Sequence, residues 1–522
     1  MTSAAGLRAS GALFSRITEA AVPEGLALVG PDGGLTYAEM LDRAGRLAAR
    51  LARRRSPVLV YGQKQPAVLV GFLAALRLGR AYVPIDSSLP PGRVARMLAV
   101  VGSEDAVLVE EPPPPLAREL EARGIATIGL DPLAACLTRS GETIGGADPP
   151  PPAPETPAYI LFTSGTSGVP KGVPVSHAAL AHFTSWLLAS HSFARGAETF
   201  LGQAPFSFDL SVMDVYGALL TGGTLFAITR EEIADPRRLF RRLDGAPLTT
   251  WVSTPSFARF CLAEARFARP MLPALRRFLF CGETLSAAVV RGLLARFPGV
   301  EVWNMYGPTE TTVAVTAVRI GPELAASDHP LPVGHPAPGM DIWIADPDAP
   351  SRRAPDGAGG EIVIAGPQVA AGYLTDTALG SPDGRFFTLA DGRRAYRTGD
   401  LGWIDPGDGA LFCAGRLDHQ IKLRGYRIEI EEIETHLRAV PGVADAAVVA
   451  VDRDGQPDHL VALVVVTPAL SATRRALTSY VRAALADCLP EYAVPRIVRS
   501  TPALPLTSHG KLDRRALREI AG

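Results

Sequence analysis

Lysine is nearly missing from this chain of 522 residues: four occur, Lys64, Lys171, Lys422 and Lys511, although Lys and Arg together total 52. A background that writes Arg wherever a surface positive charge will do gives each Lys weight. Its compact ammonium enters crowded anionic centres that the planar fork of Arg does not. Cysteine is also sparse. Cys136, Cys261, Cys281, Cys413 and Cys488 are scattered, odd in number and without metal-ligand spacing, which excludes a disulfide framework and a zinc site and fits free thiols in a reducing compartment. Neither charge is in excess. A net charge of -1 argues against nucleic acid or an anionic membrane as partner. No apolar run approaches the roughly 20 residues that span a bilayer. The N-terminal residues lack the basic start and apolar stretch of a signal peptide, so a cytoplasmic monomer handling small molecules is the expectation.

What is present reads as α/β. The first 110 residues alternate amphipathic stretches such as YAEMLDRAGRLAARLARR with short apolar runs such as VLVY and AYVPID, a βα rhythm. Two proline runs, Pro112 to Pro115 and Pro149 to Pro152, read as extended connectors. From 157 to about 330, TLFAI, TTWVS, RRFLFCG and VEVWNMYG alternate with helical stretches, predicting mainly parallel sheets covered by helices. Residues 331 to 416 hold short strands divided by Gly, Pro and Asp and predict a smaller β-rich lobe. The chain then turns charged and predicts an α+β unit. The expected organisation is a large N-terminal domain over 1–416, a hinge at 417–418, and a mobile C-terminal domain over 419–522.

The strand candidate AYILF runs into Thr163-Ser-Gly-Thr-Ser-Gly-Val-Pro-Lys-Gly172. Glycines let backbone N–H groups approach an anion, hydroxyls add donors and Lys171 adds charge, so this loop can wrap a phosphate. It departs from the Walker A loop, which needs G-x-x-x-x-G-K-[ST] opening a helix. Here Pro170 precedes the lysine and Gly172 follows it.

With this loop come FSFDLSVMD at 206 to 214, NMYGPTETT at 304 to 312, GEIVIAGPQVAAGYL at 360 to 374, YRTGD at 396 to 400, GRLDHQIKLRGYRIE at 415 to 429 and PLTSHGKLDRRAL at 505 to 517. Seven such segments in this order resemble the adenylate-forming superfamily: acyl-CoA synthetases, luciferases and the adenylation domains of non-ribosomal peptide synthetases. FSFDLSVMD, WVSTPSF, FLFCGE and YGPTETTVAVT are most similar to D-alanine ligases that charge a carrier protein and to stand-alone amino-acid adenylation enzymes.

The resemblance implies two steps, adenylation of a carboxylate by ATP and transfer of the acyl group to a thiol. Two anions must meet in the first. A lysine ammonium about 4 Å from each offsets roughly 4 kcal/mol per unit charge at an effective dielectric near 20, before its own desolvation. Lys511 is the implied bridging cation. The resemblance further places Thr163, Ser164, Gly165, Thr166 and Lys171 on phosphate, Gly282, Glu283, Asn304, Met305 and Tyr306 around adenine, Thr309 on phosphate, and Glu310 with Thr166 on Mg²⁺. Asp400 falls on the ribose and Arg416 on ribose or phosphate.

Selection of the carboxylate is expected to begin at Asp209. In the apolar Phe-Ser-Phe-Asp-Leu setting an unpaired carboxylate is costly and calls for a cationic partner. The resemblance supplies one, the α-ammonium of an amino acid; capping a helix is the plainer role for this residue. Leu210, Met213, Val252, Leu279, Cys281, Met305, Gly307, Val313 and Ala314 match the side-chain pocket, all apolar or weakly polar, which implies a small neutral substrate. Alanine of either hand comes first, with glycine, serine or a small β-amino acid behind. Cys281 is the residue associated with the D isomer in the D-alanine ligases, whereas those enzymes carry smaller or more polar groups where Val252 and Met305 stand.

Asp418 matches the family's hinge, about which rotation is implied to bring the Lys422 to Arg427 loop toward the site, and Gly425 beside the incoming pantetheine arm, for thioester formation. No carrier segment with a phosphopantetheine serine appears, so the carrier protein is expected as a separate chain, in natural-product assembly ahead of cell-wall alanylation. An acyl-CoA ligase and a catalytically silent nucleotide-binding protein are the competing readings. Asp209 argues against the first, and Lys171, Glu310, Asp400, Arg416 and Lys511 together argue against the second.

Overall fold

The computed structural model describes residues 13–31, 33–131, 150–165, 169–327, 329–346, 349–355, 357–375, 379–381, 383–423, 425–453, 456–467, 470, 474–506 and 512–521. Two large sheets dominate. The strands Leu26–Gly30, Thr224–Ala227, Thr199–Gly202, Thr250–Ser253, Arg277–Phe280 and Glu301–Tyr306 run parallel, and antiparallel strands close both edges of this nine-stranded sheet. An eight-stranded sheet is parallel from Pro157–Thr163 through Tyr82–Ile85, Val58–Tyr61 and Asp105–Leu108 to Ala126–Gly129.

Period-two alternation decides how these strands pack. In the nine-stranded sheet Phe200, Val252, Leu279 and Met305 face the main core between the two sheets, whereas Leu201, Trp251, Phe278 and Phe280 face a second core on the far side. Both faces are thus covered, as parallel sheets require. The helices held between the sheets are apolar all round, not striped. Every residue of Pro66–Arg77 except Arg77 is buried, and Leu220 alone of Leu210–Thr221 is not. The latter helix follows Asp209 directly and is locked by this packing, which matters below.

The β-rich lobe is an antiparallel six-stranded sheet running from Asp341–Asp346 to Leu411–Arg416. Beyond Arg416 come the hairpin Ile421–Leu423 with Tyr426–Ile428 and a three-stranded sheet, Val443–Arg453, Gln456–Val466 and Ile497–Ser500. One face of that sheet packs on Ile430–Arg438 and Arg474–Leu485, the other on Arg514–Ala521. One sequence expectation is corrected. The first proline run does not stay extended, because Pro114 opens the helix Pro114–Ala122. Proline suits a first turn, where its missing N–H is not needed and its φ is already helical. No helix among the described residues is long and apolar enough to cross a membrane.

Candidate active site

The carboxyl ends of the parallel strands supply the site, where open α/β sheets place their ligands. Thr254 follows Thr250–Ser253, Cys281 and Gly282 follow Arg277–Phe280, and Gly307 to Glu310 follow Glu301–Tyr306. From the other sheet Pro157–Thr163 pairs antiparallel with Lys171–Ser176, with Thr163 opposite Lys171. Lys171 therefore opens a strand, not the helix a Walker A loop needs. Its ammonium lies 3.0 Å from Asp383 and 4.8 Å from the centroid of the Tyr373 ring. Thr163 and Ser164 are buried. A Cβ on Gly165 would meet the Val169 carbonyl at 2.1 Å, so position 165 admits only glycine. Thr166 and Lys511 lie outside the described residues.

Asp209 occupies the N-cap position of Leu210–Thr221 but does not cap it; its backbone is already helical and its side chain accepts no bond from the first turn. The carboxylate instead accepts from the Thr309 hydroxyl at 2.7 Å and faces a cavity of about 100 Å³, lined also by Cys281, Gly307, Val313, Lys422 and Arg427. Burial raises its pKa and the charge of Glu310 adds to the rise, against the Thr309 bond, Lys422 and Arg427. A half-buried carboxylate held this way is set to receive a cation. The Cys281 thiol, pushed up to about 12 by burial, donates to the Val313 carbonyl at 3.6 Å and serves as wall, not nucleophile. Val313 and Thr312 hold φ of 69° and 61°, strained values for β-branched residues at the rim of a pocket. Leu210 also lines the cavity; Met213, Val252, Leu279 and Ala314 pack behind it in the main core.

A second set surrounds the expected nucleotide position. Tyr306 donates to Asp400 at 2.7 Å, and Arg416 reaches Asp400 with one arm and Asp418 with two others, at 2.6 and 2.8 Å. Arg385 also binds Asp418 at 2.8 Å, so this carboxylate, the expected hinge, is clamped between two guanidiniums. Asn304 gives its amide N–H to the Pro332 carbonyl at 2.8 Å. Gly282, Glu283, Asn304, Met305, Tyr306, Asp400 and Arg416 line one cavity of about 830 Å³.

The hairpin of residues 421–428 is seated on this site. Gly425 donates its N–H to Glu283, the Ser164 hydroxyl bonds the Arg427 carbonyl at 3.2 Å, and Arg427 grips both oxygens of Glu310 at 2.9 and 2.7 Å. Tyr373 donates to Glu310 at 2.6 Å and meets the Tyr396 hydroxyl at 2.9 Å. Burial would raise the pKa of Glu310; the Arg427 charge, its hydrogen bonds and that of Tyr373 outweigh it and bring it to about 2. Glu310 is therefore fully engaged in this arrangement. With the hairpin seated it does not fit Mg²⁺, which takes a free carboxylate together with substrate phosphates. Among the described residues no group of three or more potential ligands could hold a metal.

Contacts farther out fix the same orientation. Arg93 reaches Glu432 at 2.8 Å with both side chains buried, Arg96 bonds the Cys488 carbonyl at 2.7 Å, and Tyr426 stacks on Tyr492 at 3.7 Å with Phe208 edge-on. Removing one partner of a buried pair costs about 3–5 kcal/mol. Arg93→Met is accordingly expected to loosen the C-terminal unit, seen as faster amide exchange across Ile430–Arg438. Tyr373, Tyr396, Arg93 and Glu432 escape a reading by motif, although the two tyrosines stand in segments that carry the resemblance; Arg427 is expected near the site as the end of its loop, but not as the partner of Glu310.

The AMP-binding enzyme family model matches residues 17–374, and the AMP-binding enzyme C-terminal domain matches 432–511. A D-alanine--D-alanyl carrier protein ligase of Bacillus velezensis is 40% identical over 504 residues, 96% of this chain and 97% of that protein. One from Bacillus cereus is 41% identical over 515 residues, 95% and 97% of the two chains. Among solved structures, holo-PA1221, a non-ribosomal peptide synthetase protein containing adenylation and PCP domains and bound to a vinylsulfonamide inhibitor, superposes with TM-score 0.81 at 28% identity over 98% of this chain and 84% of that one. The Vibrio cholerae adenylation domain AlmE shares the fold, with TM-score 0.81 at 23% identity over 100% and 98% of the chains. With its site assembled at the strand ends and relatives aligned from end to end, the chain belongs to the AMP-binding enzyme family, alongside carrier protein ligases.

Proposed function

We propose that the protein activates a small neutral amino acid, of alanine type, as its aminoacyl adenylate and passes the aminoacyl group to the phosphopantetheine thiol of a separate carrier protein. The position of Asp209 carries this reading. A carboxylate that leaves its own helix uncapped and faces a small cavity walled beside it by Leu210, Cys281, Gly307 and Val313 suits an α-ammonium and offers nothing to a fatty or aromatic acid.

In the first step a carboxylate oxygen attacks the α-phosphorus of ATP, the bond to the bridging oxygen breaks and pyrophosphate leaves. Asp209 holds the ammonium, so the carboxylate is presented in one orientation. Lys511 is the proposed bridging cation and Lys171 the phosphate-loop cation. Mg²⁺, held by Glu310 once Arg427 withdraws, would neutralise phosphate charge when bound. In the second step the thiol gives its proton to solvent water, sulfur attacks the acyl carbon, and the carbon–oxygen bond to AMP breaks with its electron pair leaving on the AMP phosphate oxygen. The seated hairpin, with Lys422 and Gly425 at the cavity, suits this second step. Its clamp on Glu310 is compatible with a site from which pyrophosphate has gone.

The D isomer is favoured by Cys281 and by relatives named for D-alanine at 40 and 41% identity. Bulkier Val252 and Met305 favour a carrier of natural-product assembly; the D-alanine ligase relatives favour cell-wall alanylation as the second reading. The test is amino-acid-dependent exchange of pyrophosphate into ATP across glycine, both alanines, serine, proline, valine and β-alanine. Strong exchange with D-alanine is expected, and silence with every amino acid would refute the assignment.

A further inference from the structure

Lys64 is the one lysine that the reaction described above does not use. Its side chain is 6% exposed, its ammonium has no hydrogen-bond partner, and it lies 4.1 Å from the centroid of the Phe206 ring. Three residues before Phe206 stands Gln203, whose side-chain oxygen is also buried without a partner. Both line a cavity of about 740 Å³ that borders the reaction site, since Ser207 and Phe208 line the two cavities in common. Its walls come from both ends of the chain, Phe206 and Phe257 from one side, Tyr426 and Tyr492 from the other. Close to Lys64 lies the wholly buried Asp214 carboxyl, pushed up to about 8 by burial against the Lys64 charge. Burial lowers the Lys64 ammonium to about 8, with Asp214 and Asp86 acting to retain its charge.

A buried ammonium without a hydrogen bond is costly, and so is a buried amide oxygen without a donor. Both costs are relieved together by a ligand that brings an acceptor for Lys64 and a donor for Gln203. An anion would satisfy Lys64 but meet the Gln203 oxygen, which it cannot supply with a donor, and the charge of Asp86. A neutral amide supplies both halves, its carbonyl oxygen accepting and its N–H donating. A thiol acceptor must reach the adenylate through a cavity that adjoins it, and the phosphopantetheine arm carries two amides behind its thiol. We infer that Lys64 and Gln203 form an amide-recognition point for the acceptor arm, setting the depth to which its thiol enters; the inference rests on the carrier-transfer reading above.

The test compares three thiols, pantetheine with two amides, N-acetylcysteamine with one and cysteamine with none, as acceptors from the preformed adenylate. The variant is Lys64→Met with Asp214→Asn, which removes the ammonium without stranding the carboxylate. A lost buried hydrogen bond predicts that kcat/KM for pantetheine falls about tenfold or more, mostly in KM, while that for cysteamine is unchanged. Gln203→Met leaves the buried charges in place and is expected to give the same pattern, so a misfolded double variant does not remove the test. Equal losses with all three thiols, or an unchanged preference for pantetheine in Gln203→Met, would overturn the inference. If the wild type forms adenylate but transfers it to no thiol, the carrier-transfer reading itself falls, and the inference with it.

Discussion

Asp209→Asn is expected to lower kcat/KM for the amino acid between about thirtyfold and a few thousandfold, the range that removing one partner of a buried, hydrogen-bonded charge pair produces. Asparagine keeps the side chain's shape and can still accept from Thr309, so the change isolates charge. The fold should not respond, because Asp209 does not cap its helix and Leu210–Thr221 is held by burial nearly all round. Amino-acid-dependent pyrophosphate exchange reads the loss, and KM for ATP should stay within a few-fold. The pH dependence gives a second signature. Only ionised Asp209 pairs with an ammonium, and its pKa is raised, by burial foremost. On acidification the wild type should therefore lose amino-acid affinity above the ordinary carboxylate range, whereas the Asn variant should show no such limb. An identical acid limb in both proteins would assign that titration elsewhere and deprive Asp209 of its role.

Why Asp209 was legible and the grip of Arg427 was not follows from where each interaction is decided. Asp209 carries its signal locally, as a charge among aromatic and apolar neighbours. Its contact with Thr309, 100 residues away, joins segments that follow two strands of one sheet, Thr199–Gly202 and Glu301–Tyr306, with two strands between them. Arg427 grips Glu310 across 117 residues, and that contact exists only while the hairpin is seated. Sequence can name the hairpin and the hinge but not the orientation adopted. The same limit explains the pocket. Val252 and Leu279 match pocket positions in sequence order, but strand pleating turns both into the core between the sheets, one layer behind the lining. The parallel sheets themselves were legible because strands buried on both faces read as continuous apolar runs. Pro114 misled because proline marks both extended connectors and helix starts, and only the following LARELEA separates the two.

The clamp on Asp418 bears on how the orientation is chosen. Arg385 and Arg416 both bind its carboxylate, and their hydrogen bonds and charges depress its pKa against the opposing effect of burial. Arg416 also holds Asp400, the expected ribose ligand. Nucleotide bound at Asp400 would thus compete for the guanidinium that holds Asp418, the proposed hinge, so site occupancy and the proposed change of orientation would share one side chain. A ligand shifts such an equilibrium only through contacts that differ between the two states, and Arg416 makes one.

Gly425 offers the sharpest separation of the two half-reactions. It holds φ at +86°, and a Cβ there would stand 2.6 Å from the Thr254 Cγ2 atom, while its N–H is committed to Glu283. Thr254 is itself buried at the end of a core strand and has little room to yield. Any side chain at 425 must therefore either strain the left-handed backbone, at about 1–2 kcal/mol, and displace Thr254, or leave the hairpin unseated. The second outcome also forfeits the Arg427 grip on Glu310 and the Tyr426 stack on Tyr492, since all three residues ride on one short hairpin. With either route costing about 3 kcal/mol, Gly425→Leu should slow transfer from preformed adenylate to a thiol by about a hundredfold, at roughly tenfold per 1.4 kcal/mol. Gly425→Ala, whose single Cβ meets the same wall, should show a smaller loss in the same direction. In the cycle proposed above adenylation takes place with this hairpin withdrawn, so pyrophosphate exchange should remain within a few-fold of wild type in both variants. Equal damage to exchange and transfer would mean that the seated hairpin serves both steps. Undamaged transfer in both variants would mean that the arrangement described here is not the one in which the thiol attacks.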